Sequence, residues 1–186
     1  MDWQAAYQRA LPYQEFLDQY ATPAQRQRWQ AVYDRVRLSD AQRTLLSGFV
    51  RQMHLLCLAA AWCGDCILQG PILQRLAEGT TTIALRFLDR DDHPTVQETL
   101  ILNAGRRVPV VVFLSEDFYE CARFGDRTLS TYRKMAHDRL GPSCPTGVLP
   151  PGPDPLAEVT DEWLGEVERV QLLLRLSPRL RERHRD

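Results

Sequence analysis

Four short runs of apolar and β-branched residues, at 54–59, 83–89, 110–114 and 119–124, constrain the fold most, because the segments between them decide how they can pair. A helical pattern fills the first gap, from about residue 63 to 78, and a second one, at 95–103, fills the next. The last two runs stand too close for a crossover and read as a hairpin, followed by a helix at 128–138. The order is therefore βαβα and then ββα. A β-α-β crossover joins parallel strands and a short link joins antiparallel ones, so this order predicts an α/β fold, a mixed sheet with helices on both faces. The 54–59 run, His-Leu-Leu-Cys-Leu-Ala, lacks polar alternation and reads as a strand buried on both sides.

A chain of 186 residues suits one domain with appendages. The expected organisation is a helical N-terminal extension at 1–48, the sheet domain at 49–140, and a Pro-rich loop with a C-terminal helix at 141–186 packed on the same domain. In the extension, Trp29, Val32, Tyr33 and Val36 share a helical stripe. Thr22 with Gln25, and Ser39 with Gln42, have capping-box spacing. Seven of the 16 aromatic residues fall before residue 34, too much aromatic surface for a loose tail. The terminal additions are expected to cover a sheet edge. Residues 141–155 hold six of the twelve prolines and three of the ten glycines, which excludes a helix or a central strand there. Beyond them Trp163, Val167, Val170 and Leu174 recur at helical spacing and predict one amphipathic helix of roughly four turns. Four arginines between 179 and 186 read as a solvated helix end.

Composition excludes several classes. A net charge of −1 leaves no chain-wide basic field for nucleic acid. The longest stretches without Asp, Glu, Lys or Arg are 13 and 14 residues, at 52–64 and 140–153. A spanning helix needs about 18 or more apolar residues, so no membrane span is expected. The opening Met1-Asp2-Trp3-Gln4 lacks the basic region of a secretory signal, and a cytoplasmic location is expected. Five cysteines, at 57, 63, 66, 121 and 144, are an odd set in a chain too large for a disulfide scaffold, so most are expected as free thiols.

The chemistry concentrates in Ala61-Trp62-Cys63-Gly64-Asp65-Cys66, directly between the first strand and its helix. That position puts Cys63 at a helix N-terminus, where unpaired N–H groups and the helix dipole favour a thiolate. Cys66 stands one turn inward and is within reach of the Cys63 sulfur. A Cys-x-x-Cys pair can also be half of a zinc site, but no second ligand pair accompanies this one, and no metal is expected. Pro71 falls inside the helix, and Val108-Pro109 opens the third run, where an X-Pro bond tolerates the cis form.

With these features the chain resembles the thioredoxin family, in particular a bacterial branch whose motif reads Trp-Cys-Gly-Asp-Cys, over roughly residues 49–139. The resemblance implies a thioredoxin-like fold, with Cys63 as attacking thiol and Cys66 as resolving thiol. It also implies Trp62 as a flanking surface aromatic, Pro71 as the helix-kinking proline and Pro109 as a cis-proline facing the dithiol. Val108 would offer its backbone to substrate, and Gly125 would be the small residue lining the same groove. Two departures stand out. Asp65 replaces the proline usual between the cysteines and would oppose thiolate formation by its charge while favouring the helix start. Cys57 stands where thioredoxins bury an aspartate that helps move the resolving thiol's proton; Asp65 or a water is expected to take it instead. Cys57 and Cys121 read as buried small hydrophobes, and Cys144 as an exposed loop thiol. Arg106 and Arg107 read as solvated loop residues, or as selectors of acidic substrates.

The function expected is thiol-disulfide oxidoreduction on a disulfide-containing protein or small thiol substrate, with an external electron donor and no bound cofactor. The alternative is a binding or adaptor module on the same fold, its dithiol inactive or a slow sensor. A glutaredoxin-like enzyme is disfavoured because the Cys-Pro-Tyr-Cys, Thr-Val-Pro and Gly-Gly-Asp signatures are replaced here by Cys-Gly-Asp-Cys, Arg-Val-Pro and Phe-Gly-Asp.

Overall fold

Strands β1 (Met53–Ala59) and β3 (Val110–Ser115) carry almost unbroken apolar side chains, and burial sends them to the centre of the sheet. The computed structural model, which describes residues 1–140 and 152–186, orders the four strands β2-β1-β3-β4, with β2 (Ile83–Asp89) and β4 (Glu120–Gly125) outside. β1 is parallel to β2 and antiparallel to β3, and β4 is antiparallel to β3. In this register Leu58 lies opposite Val110, and Val110 opposite Gly125. The end of β1, the start of β3 and the end of β4 thus meet at one end of the sheet.

Helices α1 (Trp3–Arg9), α2 (Tyr13–Tyr20), α3 (Pro23–Arg35) and α4 (Asp40–Ser47) precede the sheet. Both capping boxes form: Gln25 N–H donates to Thr22 Oγ1 at 3.3 Å and Thr22 N–H to Gln25 Oε1 at 2.8 Å, with the same exchange between Ser39 and Gln42. Between α1 and α2, Leu11 and Phe87 exchange backbone hydrogen bonds of 2.8 and 2.7 Å, so the extension lies along the outer edge of β2. Phe16, Trp29 and Phe87, all fully buried, join it to the core, with ring centroids 5.3 to 6.3 Å apart.

The crossover from β1 to β2 is α5 (Gly64–Glu78), with Pro71 inside it. The helix anticipated at 95–103 is shorter, α6 (Pro94–Thr99). Leu100 caps it, and beyond Ile101 the residues Asn103 and Ala104 adopt φ of 46° and 56° while Leu102 and Gly105 bond each other across a tight turn, so the helix cannot continue to 103. After β4 comes α7 (Leu129–Leu140). Residues 141–151 of the expected Pro-rich loop, with Cys144, lie outside the described residues.

The C-terminal segment differs most from expectation. Asp154 caps and Pro155 opens a helix, α8 (Pro155–Leu176), of 22 residues in place of roughly four turns, and Ser177-Pro178 starts a second, α9 (Pro178–His184). The arginine-rich end is docked, not merely solvated. Leu180 is fully buried, Arg179 pairs with Asp117, and Arg183 and His184 reach Glu116 at 2.7 and 2.8 Å on the β3–β4 turn. Among the described residues, no helix is long and apolar enough to cross a membrane.

Candidate active site

Because β1 and β2 are parallel, the chain must turn off the sheet after Ala59, and it does so in a tight loop closed by the Cys63 N–H donating to Ala60 O at 3.1 Å. Cys63 is the N-cap of α5, with φ −74° and ψ 127°. Its carbonyl accepts from Ile67 N–H at 2.9 Å while its side chain makes no capping bond. The sulfur is therefore free for chemistry at the positive end of the helix. Sγ of Cys63 lies 3.7 Å from Val108 O, and Cys66, with no exposed surface, accepts the Ala60 N–H on its sulfur at 3.5 Å. Both cysteines are free thiols.

Their environments separate them. A hydrogen bond from the Cys66 thiol lowers the Cys63 thiol most. Burial opposes it, backbone N–H groups of Cys66 and Asp65 assist, and the Asp65 charge opposes it weakly, bringing Cys63 from 9.0 down to about 6. Burial pushes the Cys66 thiol well above the usual range, with Cys63 and Cys57 adding to it. These opposite shifts favour the charge on the outer sulfur and the proton on the inner one.

Around the dithiol, Trp62 is 54% exposed, and the Arg90 guanidinium lies 5.8 Å from its ring centre while donating to Arg106 O at 2.9 Å. The Val108–Pro109 peptide is cis and both residues are buried. Gly125 packs so closely that a Cβ there would fall 2.5 Å from Pro109 O, so no side chain fits between β4 and the start of β3. Cys63, Cys66, Val108, Pro109 and Gly125 are thus gathered at one end of the sheet, with Trp62 on its rim.

Other expectations change. The Asp65 carboxylate is not free in the dithiol turn but paired with Arg127 at 2.6 Å. Arg106 is exposed, as expected of a loop residue, and paired with Glu98, whereas Arg107 is half-buried and donates to Asp126 at 2.9 Å. Asp126 also accepts from Arg127 at 3.1 Å and from the Tyr132 hydroxyl at 2.5 Å; against burial, which raises it, the bonds from Tyr132 and Arg107 hold its carboxyl below the usual carboxylate range. Cys57 is fully buried, as expected, whereas Cys121 is half-buried and its thiol donates to Tyr119 O at 3.4 Å. Among the described residues, no three His, Cys, Asp or Glu side chains gather as metal ligands would.

Sequence reasoning missed the supports of this site. Trp29 of α3 donates its indole N–H to Ala61 O at 2.9 Å. Trp163 of α8 donates to Gln69 Oε1 at 3.0 Å, and the Gln69 amide donates to Asp126 O at 2.9 Å. The aromatic density of the extension signalled packing, but nothing local to Trp29 or Trp163 indicates which segment each would reach.

A family model described as thioredoxin matches residues 10–138. No curated protein matches. A solved protein of unknown function from Pseudomonas aeruginosa is 17% identical, with 91% of this chain and 96% of that chain covered and a TM-score of 0.68. An HIV epitope-scaffold protein is also 17% identical, with 91% and 97% covered and a TM-score of 0.67. Oxidized mitochondrial thioredoxin 3 from Saccharomyces cerevisiae, 18% identical, covers 57% of this chain and 98% of its own, with a TM-score of 0.36. The first two show that the fold occurs elsewhere.

Proposed function

Since the chain belongs to the thioredoxin family, we propose that it is a thiol-disulfide oxidoreductase whose working groups are Cys63 and Cys66. The observation that carries this reading is the placement of the two sulfurs, Cys63 at the N-terminus of α5 with its side chain making no capping bond and its Sγ 3.7 Å from Val108 O, and Cys66 one turn inward with no exposed surface, which lowers the outer thiol and raises the inner one. The Cys63 thiolate attacks one sulfur of a substrate disulfide. An S–S bond forms to Cys63, the substrate bond breaks, and the first substrate thiolate leaves. Cys66 loses its proton to water and attacks Cys63 Sγ. The second substrate thiolate departs, and Cys63–Cys66 is left as the disulfide that received the substrate's oxidation. An external dithiol or thiol donor returns two electrons and restores the pair.

Val108 and Pro109, with Gly125 beside them, form the surface on which an extended substrate segment would lie, and Trp62 flanks it. The chemistry needs no bound cofactor or metal, and the reducing direction suits the cytoplasm. The adaptor reading rests on the aromatic-rich extension, and five of its seven aromatics, Trp3, Tyr7, Tyr13, Phe16 and Trp29, are buried in the core, with Trp29 also bonded to the Cys63 loop.

The test is trapping. A Cys66→Ser variant exposed to disulfide-containing protein should accumulate a mixed disulfide at Cys63 that dithiothreitol releases. Adducts spread over the other cysteines, or none at Cys63, would overturn the assignment.

A further inference from the structure

The two terminal additions grip α5 at consecutive residues. Trp29 is fully buried over Gly70, where a Cβ would fall 2.1 Å from Trp29 Cζ3, so the ring needs glycine beneath it. The same indole bonds Ala61 O, two residues before Cys63. From the other terminus Trp163, also fully buried, bonds Gln69, which passes the contact to Asp126 O. Asp126 is followed by Arg127, the residue that holds Asp65 in the dithiol turn. An indole can fill space anywhere in a core, but its buried N–H needs a partner, and the partners here are Ala61, two residues before Cys63, and Gln69, three residues after Cys66.

We propose that Trp29 and Trp163 are positioning residues of the dithiol, one supplied by each terminal addition. Trp29 fixes the loop that aims Cys63, and Trp163 fixes the side of the site that carries Asp65 and Arg127. The additions are thereby part of the site and not appendages to it. This deepens the oxidoreductase reading and rests on it, although its readout needs only the free thiol. The reason for sensitivity is range: stabilisation of an anion by helix N–H groups fades within the first turn, so a loosened loop moves the sulfur away from the groups that favour its charge.

The experiment uses the reduced full-length protein. Cys63 alkylation by iodoacetamide is followed across pH by peptide mass spectrometry. The rate rises as thiolate forms and should be half-maximal near pH 6 in the wild type. Trp29→Phe and Trp163→Phe keep a ring in place but remove the N–H. Each should raise the midpoint by about half a unit or more, roughly threefold less thiolate below it. Trp3→Phe is the control: it loses an equivalent 2.8 Å bond to Glu120, at the end of β4 away from Gly125, and should leave the midpoint in place. Circular dichroism establishes folding, and if one variant misfolds, the other decides. Wild-type midpoints in the folded variants would overturn the proposal. Raised midpoints in a protein that reduces no disulfide would uphold positioning while removing the enzymatic reading.

Discussion

Replacing Cys63 by serine should lower dithiothreitol-driven insulin-disulfide reduction on the order of a thousandfold or more, since the covalent nucleophile is gone. A Cys63 thiol lowered to about 6 is mostly thiolate at neutral pH, whereas a serine hydroxyl stays protonated and attacks disulfides negligibly. No other described cysteine is placed to substitute. Cys66 and Cys57 have no exposed surface and burial raises both thiols, and the half-buried Cys121 is raised by burial too. An equal rate in Cys63→Ser would remove Cys63 from the mechanism.

Deleting residues 1–48 should yield a chain that does not fold. The deletion uncovers Phe87 and the Gly70 face of α5, removes the Leu11 pairing on the edge of β2, and leaves Ala61 O without its indole partner. Even Trp29→Ala alone should cost about 3–5 kcal/mol, as large-to-small core changes do. That is a large part of the roughly 5–15 kcal/mol that holds a domain together. Urea unfolding of the point variant and size-exclusion chromatography of the truncation read these effects. A monomeric truncated protein with undiminished turnover would show that the extension is a separate unit.

The middle of the fold was legible because its signals are local. The apolar run around Cys57 with no polar alternation and the proline just before β3 each follow from the chemistry of a few neighbouring residues, as does the capping spacing at Thr22 and Ser39 in the extension. The dithiol was legible for the same reason: Cys-x-x-Cys at a strand-to-helix junction carries its own electrostatics. The turn at 102–105 was not, because its left-handed Asn103 and Ala104 interrupt an apolar spacing that looks helical. Nor was the docking of α9, whose arginines match carboxylates at Glu116 and Asp117 more than sixty positions away. The supports of the site were hidden for that reason as well. Trp29 meets Ala61 across 32 positions, and Trp163 meets Gln69 across 94.

Redox titration tests the site most directly. The protein is equilibrated in glutathione buffers of graded potential, quenched by alkylation and mapped by mass spectrometry. A working dithiol gives one two-electron transition that links Cys63 to Cys66, with a midpoint between about −270 and −120 mV, the span of thioredoxin and its strongly oxidising relatives. Cys63 and Cys66 alkylated separately at every potential, or joined to Cys57, Cys121 or Cys144 in place of each other, would contradict it.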